Sequence, residues 1–289
     1  MPLTVDYMLT ARCNLQCPFC YGPTPDMTGE LNRAHKLMLI DGLATHGVTH
    51  VVFGGGEPLI SPDAVEVIRH AHDCGMHVGL QTNASFAERL GDLVPFLEWL
   101  GLPIDGVSAQ SQQAMRTTPA QLANTKRAIE LVRARATGVK IKIGTVVSRY
   151  NISELTEIAA VVATLHPDVW KLYELRPRGA AANNLLYLAL TRAELESAVG
   201  ALRKNYKQLP MFVSYEEQSR NAYIIINPDS EVLIPQIRDY MSVGRVIPVG
   251  AAGAFSEEVW TDTLEQLDLA AQSRNMRGSF PGWTDGVAT

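Results

Sequence analysis

Three cysteines, Cys13, Cys17 and Cys20, stand at C-x3-C-x2-C spacing in "ARCNLQCPFCYG", and the chain of 289 residues holds only four in all. Thiols this close have three chemical uses. A disulfide would join two and leave one unpaired, and Cys74 falls at the end of a helical stretch, "VEVIRHAHDCGMH". Structural zinc takes four ligands, usually as two knuckles of two, and no second Cys or His pair follows at knuckle distance. A [4Fe–4S] cluster normally takes four thiolates, so three protein ligands would leave one iron open for a small molecule.

Such thiols need a scaffold to hold them. Apolar runs at 4–9, 51–53, 77–80, 106–108, 140–147 and 169–175 read as buried strands. Helical periodicity fills the gaps at 32–46, 62–74, 86–100, 119–136 and 152–165. Ser61-Pro62 reads as a helix start, and Asn151 or Ser153 as the cap of the fifth helix. Alternating strand and helix predicts an α/β chain whose parallel sheet curls toward a barrel. Sites in such folds lie on the loops after the strands, and the cysteine loop directly follows the first one. From about residue 186 the pattern changes. Thr191 and Glu194 form a capping box for a helix over 191–206, "AYIIINPDSEVLIP" reads as a hairpin, and 256–274 reads as a final helix before a loose tail. The expected division is a core over 1–185 and an extension over 186–289 placed as a lid.

Two stretches carry a resemblance. The C-x3-C-x2-C motif with Phe19 before its last cysteine, joined to Gly55-Gly56-Glu57-Pro58 after the second strand, resembles the radical S-adenosylmethionine (SAM) enzymes. The resemblance implies a partial (β/α)6 barrel of TIM type and a [4Fe–4S] cluster on Cys13, Cys17 and Cys20. It implies that SAM chelates the open iron and is split to a 5′-deoxyadenosyl radical, which takes a hydrogen atom from substrate. Gly55, Gly56 and Glu57 would hold the SAM amino group. Without the resemblance, the same glycines make a tight strand-to-helix turn. Thr82 and Asn83 are similar to the family's T-N-G, with Ala84 in place of glycine, or are simple turn formers. Ser108, Arg116, Ser148 and Leu175 complete the implied SAM site. Arg116 suits a carboxylate and equally suits the surface, and Asn151 is either a ribose contact or a cap.

The second half resembles, more distantly, viperin-type members that dehydrate a nucleoside triphosphate to a 3′-deoxy-3′,4′-didehydro nucleotide. The similar stretches are "KIKIGTVVSRYNISEL", "HPDVWKLYELRP" and "SYEEQSRNAYIII". Lys142 and Lys171 fall where those enzymes keep phosphate-binding lysines, while Gly144 and Val169 replace an Asn and an Arg. Lys142, Lys171, Arg176 and Arg178, with Tyr173 beside them, favour an anionic group on any substrate. A small metabolite, a ribosomal peptide and a nucleotide therefore stay open, and a structural metal protein is the non-enzyme reading. A flavodoxin or ferredoxin is the electron donor the family implies. The degenerate, cysteine-free "INPDSEVLIPQ" implies one cluster and no auxiliary one.

Composition narrows the rest. Hydrophobic residues make up 46% and charged residues 19%, an ordinary globular balance. The net charge of −5 gives no basic surface for nucleic acid. No apolar run reaches membrane-spanning length, the first residues do not read as a signal peptide, and clustered thiols suit the reducing cytoplasm. The seven histidines are read as surface or packing residues, with no metal-like pair on one helix face.

Overall fold

Side chains alternate across a strand with a period of two, and here that alternation sorts the strands into two chemically different faces. The computed structural model describes residues 2–22, 29–135, 138–248 and 254–277. Among the described residues ten strands form one sheet: β1 (Leu3–Met8), β2 (Val48–Gly54), β3 (His77–Gln81), β4 (Trp99–Pro103), β5 (Lys140–Val147), β6 (Val169–Glu174), β7 (Met211–Ser214), β8 (Ile224–Ile226), β9 (Glu231–Pro235) and β10 (Tyr240–Arg245). Their spatial order is β10-β9-β8-β1-β2-β3-β4-β5-β6-β7. Every pairing from β8 through β7 is parallel, and only β8–β9 and β9–β10 are antiparallel. The sheet is open, a partial barrel rather than a closed one.

The helices are α1 (Arg33–Thr45), α2 (Ala64–Asp73), α3 (Ala109–Arg116), α4 (Gln121–Arg133), α5 (Leu155–Leu165), α6 (Ala180–Asn183), α7 (Leu185–Leu188), α8 (Arg192–Asn205), α9 (Glu257–Gln266) and α10 (Leu269–Arg277). The main core lies between the sheet and its helices. Val5, Tyr7, Leu9, Val51, Phe53, Leu80, Leu100, Ile141, Ile143 and Leu172 turn outward into it, against Leu39, Ile40, Leu43, Val67, Ile68, Ile129 and Ile158. The alternate residues turn inward: Asp6 and Met8, Val52 and Gly54, Gln81, Gly101 and Pro103, Lys142, Gly144 and Val146, and Tyr173. Trp99 lies across the inner face of β3, where its ring fills the space that a Cβ on Gly79 would need.

Several expectations shift. The periodic stretch 86–100 is not one helix. Gly91 and Pro95 interrupt it, leaving 3-10 turns at Ala87–Asp92 and Val94–Phe96, and the fourth strand begins earlier, at Trp99. The run 106–108 is the approach to α3, with Ser108 as its cap. Neither Asn151 nor Ser153 caps α5, and α2 starts after the Ser61-Pro62 turn rather than on it. The final helix breaks at Leu267-Asp268 into α9 and α10. The Thr191–Glu194 capping box and the β8–β9 hairpin form as expected. Strands beyond residue 185 extend the sheet on both edges, β7 beside β6 and β8 beside β1. The tail expected to be loose lies outside the described residues beyond 277.

Candidate active site

The loop after β1 is held by the loop after β2, backbone to backbone. Leu9 N–H donates to Gly54 O at 2.9 Å, Gly56 N–H to Thr10 O at 2.7 Å and Glu57 N–H to Arg12 O at 2.8 Å. This zipper requires glycine. Gly55 has φ of +136°, and a Cβ on it would stand 2.4 Å from Thr10 O. A Cβ on Gly56 would stand 2.3 Å from Arg12 O. The two glycines therefore let the loop after β2 pack directly on the backbone of the cysteine loop.

Glu57 ties in the third loop. It is fully buried, and its carboxylate accepts from Leu59 N–H at 3.0 Å, the Thr82 hydroxyl at 2.7 Å and Asn83 N–H at 2.7 Å. Burial raises its carboxyl above the ordinary range, and these hydrogen bonds offset only part of that. The expected ammonium ligand is thus occupied with the chain's own donors. Asn83 reaches onward, its amide donating to Asn14 Oδ1 at 2.9 Å and toward Cys13 Sγ at 3.8 Å. Gln121 fixes Asn83 from behind, donating to its carbonyl at 2.7 Å.

The segment after β6 closes the cysteine loop from the other side. Ala181 N–H donates to Cys20 O at 3.3 Å, and the Asn184 amide to Pro18 O at 3.1 Å. Gly179, with φ of +53°, lets the two backbones meet, since a Cβ there would lie 2.8 Å from Cys20 O. Phe19 is buried with Met115, Leu175, Ala181 and Leu188. Arg116 lies 4.8 Å over the Phe19 ring. Its Nε donates to the buried Asp105 at 2.5 Å and its Nη1 reaches Cys17 Sγ at 3.9 Å. Burial pushes the Cys17 thiol up to about 11 against the pull of Arg116, and burial raises Cys13 as well. All three thiols are free, and all three line one cavity of about 660 Å³.

The inner wall of that cavity is charged. Asp6, Lys142 and Arg176 line it, and Lys171 is buried beside them. Lys142 Nζ sits 4.5 Å over the Trp99 ring, and Arg176 lies 5.3 Å from the rings of both Tyr21 and Tyr223 and 5.8 Å from that of Tyr173. Arg176 also stands 4.0 Å from Glu216, which in turn pairs with Arg178 at 2.5 Å. Burial lowers Lys142 to about 8, against the pull of Asp6. Burial lowers Lys171 well below the ordinary lysine range, and the neighbouring Lys142 and Arg176 add to it. Asp6 is raised to about 6 by burial, with Lys142, Arg176 and Lys171 opposing.

The cavity brings together Cys13, Cys17, Phe19, Cys20, Gly55, Gly56, Thr82, Asn83, Arg116, Lys142, Tyr173 and Arg176. Glu57, Ser108, Ser148, Leu175 and Lys171 are not on its wall. Ser108 caps α3 and bonds Glu154, whose carboxyl is held down at about 2: burial opposes this, and bonds from Ser108, Ser111 and Val107 outweigh it. Ser148 and Asn151 close the turn after β5, where the Asn151 amide donates to Asp105 O and Val146 O. Leu175 packs under Phe19 instead of facing the cavity. Asp6, Tyr21, Gln81 and Glu174 are wall residues that the motifs do not mark. Asp6 had a signal in the sequence, since a charge inside a short apolar strand rarely faces the interior without a partner.

Residues 7–162 match the Radical SAM superfamily. The chain belongs to the radical SAM superfamily. Its members are enzymes that use a [4Fe–4S] cluster and SAM. This radical SAM chain is 26% identical over 265 residues to an S-adenosylmethionine-dependent nucleotide dehydratase of Flammeovirga pacifica, covering 88% of the chain and 90% of that protein. It is 28% identical over 272 residues to a PqqA peptide cyclase of Bradyrhizobium diazoefficiens, covering 89% of the chain and 68% of the cyclase. Among solved structures, Streptococcus suis SuiB bound to S-adenosylmethionine superposes with a TM-score of 0.66 at 13% identity, over 90% of this chain and 65% of SuiB. That likeness is one of fold. No described helix is long and apolar enough to cross a membrane.

Proposed function

We propose that Cys13, Cys17 and Cys20 hold the [4Fe–4S] cluster, that Gly55, Gly56, Thr82, Asn83 and Arg116 border SAM, and that the substrate is a small metabolite with an anionic group. The donor set fits the cluster: three unlinked thiols on one cavity wall, two of them raised by burial and therefore favoured as thiolates only with a cation beside them. When bound, the cluster supplies the electron that splits SAM and yields the 5′-deoxyadenosyl radical. The chain's residues do the rest. Asn83 and Arg116 reach toward the sulfurs, Phe19 and Leu175 pack behind the loop, and Tyr173 lines the inner wall beside Lys142 and Arg176. A flavodoxin or ferredoxin is the electron donor, and the enzyme works in the cytoplasm.

The observation that carries the substrate class is that Lys142 and Arg176 line the same cavity as the cysteines while both are buried. Buried cations bind a carboxylate or phosphate far better than exposed ones, because water does not compete. Nucleotide dehydration is the second reading, supported by the near full-length match to the Flammeovirga dehydratase. Against it, a Cβ on Gly144 would already lie 3.2 Å from the Tyr173 ring, so Tyr173 fills the space where viperin-type enzymes keep an Asn. A peptide acidic at the reacting residue is the third. The test is anaerobic 5′-deoxyadenosine release from the reconstituted enzyme with anionic metabolites, their neutral amides or alcohols, nucleoside triphosphates and acidic peptides. Stimulation by anionic metabolites alone supports the proposal. Equal stimulation by neutral analogues overturns it, and a triphosphate that loses water hands the assignment to the dehydratase.

A further inference from the structure

A second group of ligand-type side chains joins α1 to the end of α2. His70 and Cys74 are one turn apart at the end of α2, so they share a face. Asp41 on α1 meets that face. His70 Nε2 is 2.7 Å from Asp41 Oδ1, Cys74 Sγ is 3.7 Å from the same oxygen, and Cys74 Sγ is 3.8 Å from His70 Nε2. One thiol, one imidazole and one carboxylate thus converge on a single point, all three ligand atoms within 4.8 Å of one another.

Two uses of a Cys–His–Asp group can be separated by geometry. In a nucleophilic triad the acid and the thiol sit at opposite ring nitrogens, so that one orients the base and the other is activated by it. Here both Asp41 and Cys74 face the same nitrogen, Nε2, and no relay is possible. Convergence on one nitrogen is the arrangement of metal ligands. Around tetrahedral zinc, with bonds of about 2.0–2.3 Å, donor atoms lie roughly 3.3–3.6 Å apart. The two sulfur separations are already within a few tenths of an ångström of that, and only the nitrogen–oxygen hydrogen bond must open.

We propose that Asp41, His70 and Cys74 bind one zinc-class divalent ion that staples α1 to α2. Mixed thiolate, imidazole and carboxylate donors select zinc over the hard cations magnesium and calcium. The partly exposed position leaves the fourth place to water. The site precedes β3, at the N-terminal ends of the strands, whereas the cysteine loop follows β1 at their C-terminal ends. It is a clamp on the scaffold and stands apart from the radical chemistry.

The test is peptide-resolved alkylation of the cluster-loaded enzyme with iodoacetamide, with and without one equivalent of Zn2+. Zinc should slow modification of Cys74 by about tenfold or more, since a metal-held thiolate is a poor nucleophile. His70→Ala keeps the thiol and should lose that protection. His77→Ala should retain it, because the other His and carboxylate group, His50, His77 and Glu98, lies elsewhere. Cys74 alkylating at one rate with and without zinc would overturn the site, and so would equal protection in His70→Ala.

Discussion

The cysteine mouth and the charged inner wall share one cavity and are built by opposite means. The mouth is backbone work: three short loops after β1, β2 and β3 are laced by main-chain hydrogen bonds, by two glycines at close approach and by the single carboxylate of Glu57. The wall is side-chain work. Asp6, Lys142 and Arg176, with Lys171 beside them, come from strands and a loop spread over much of the chain, and the three cations are buried against their solvation preference. The difference separates the generic from the particular. Geometry at the mouth is fixed by sterics with little tolerance, while the wall is tuned by charge and can change substrate without disturbing the mouth.

The sharpest break of that comparison is Gly55→Ala. A methyl 2.4 Å from Thr10 O at a φ of +136° forces the β1 and β2 loops apart. We expect roughly 2–4 kcal/mol of lost stability, with iron content after reconstitution falling to a small fraction of wild type. Denaturant unfolding and iron analysis check both, and full iron loading would refute the zipper.

Glu57→Gln comes next. The amide replaces an acceptor with a donor facing Thr82 or Asn83, and roughly 2–3 kcal/mol should be lost. If Glu57 instead serves chiefly as a SAM ligand, its variant would keep its unfolding midpoint and lose only SAM affinity.

Lys142→Met should touch the wall alone. Iron content and SAM binding stay at wild-type levels, while kcat/KM for the anionic substrate falls by about 10–100-fold. Loss of iron in this variant would show the two regions to be coupled.

Proton linkage sharpens the wall further. Lys142 has its folded value lowered to about 8, so above that pH the folded chain gives up a proton that the unfolded chain still holds. Stability therefore rises with pH from about 8 toward the ordinary lysine range. Anion binding moves the other way, and KM should rise by up to about tenfold per pH unit above 8. Asp6, raised to about 6, takes its proton in the fold before the unfolded chain does, so its contribution to stability rises as pH falls below 6. A KM flat from pH 7 to 10 would remove Lys142 from substrate binding.

The smallest effect is expected at Ala84, a buried residue with φ of +64°. Ala84→Gly relieves about 1 kcal/mol of left-handed strain and forfeits a similar amount in methyl burial and chain entropy. The unfolding midpoint should barely move and iron content should not change.

The mouth was legible because its constraints are local. Cysteine spacing, Gly55-Gly56-Glu57 and Thr82-Asn83 each act within a few residues of a strand end, and the strand order follows the chain. Ser108 was placed at the end of a strand expected over 106–108, whereas the fourth strand runs from Trp99 to Pro103 and Ser108 caps α3. β5 and β6 lie where the apolar runs put them, and it is the turn after β5 that holds Ser148 and the packing with Phe19 that holds Leu175 off the cavity wall. The burial of Glu57 and the three donors on its carboxylate cannot be seen along the chain.

The amino-acid sequence by itself determined the superfamily, the alternation of strand and helix and the three thiols, because motif spacing and apolar periodicity are properties of neighbours. Only the tertiary structure decided which strand residues face inward together, how Tyr173 comes to fill the space beside Gly144, and that Asp41 meets His70 and Cys74. Those outcomes depend on sheet register and helix packing, which bring residues distant in the chain within a few ångströms and leave no local trace.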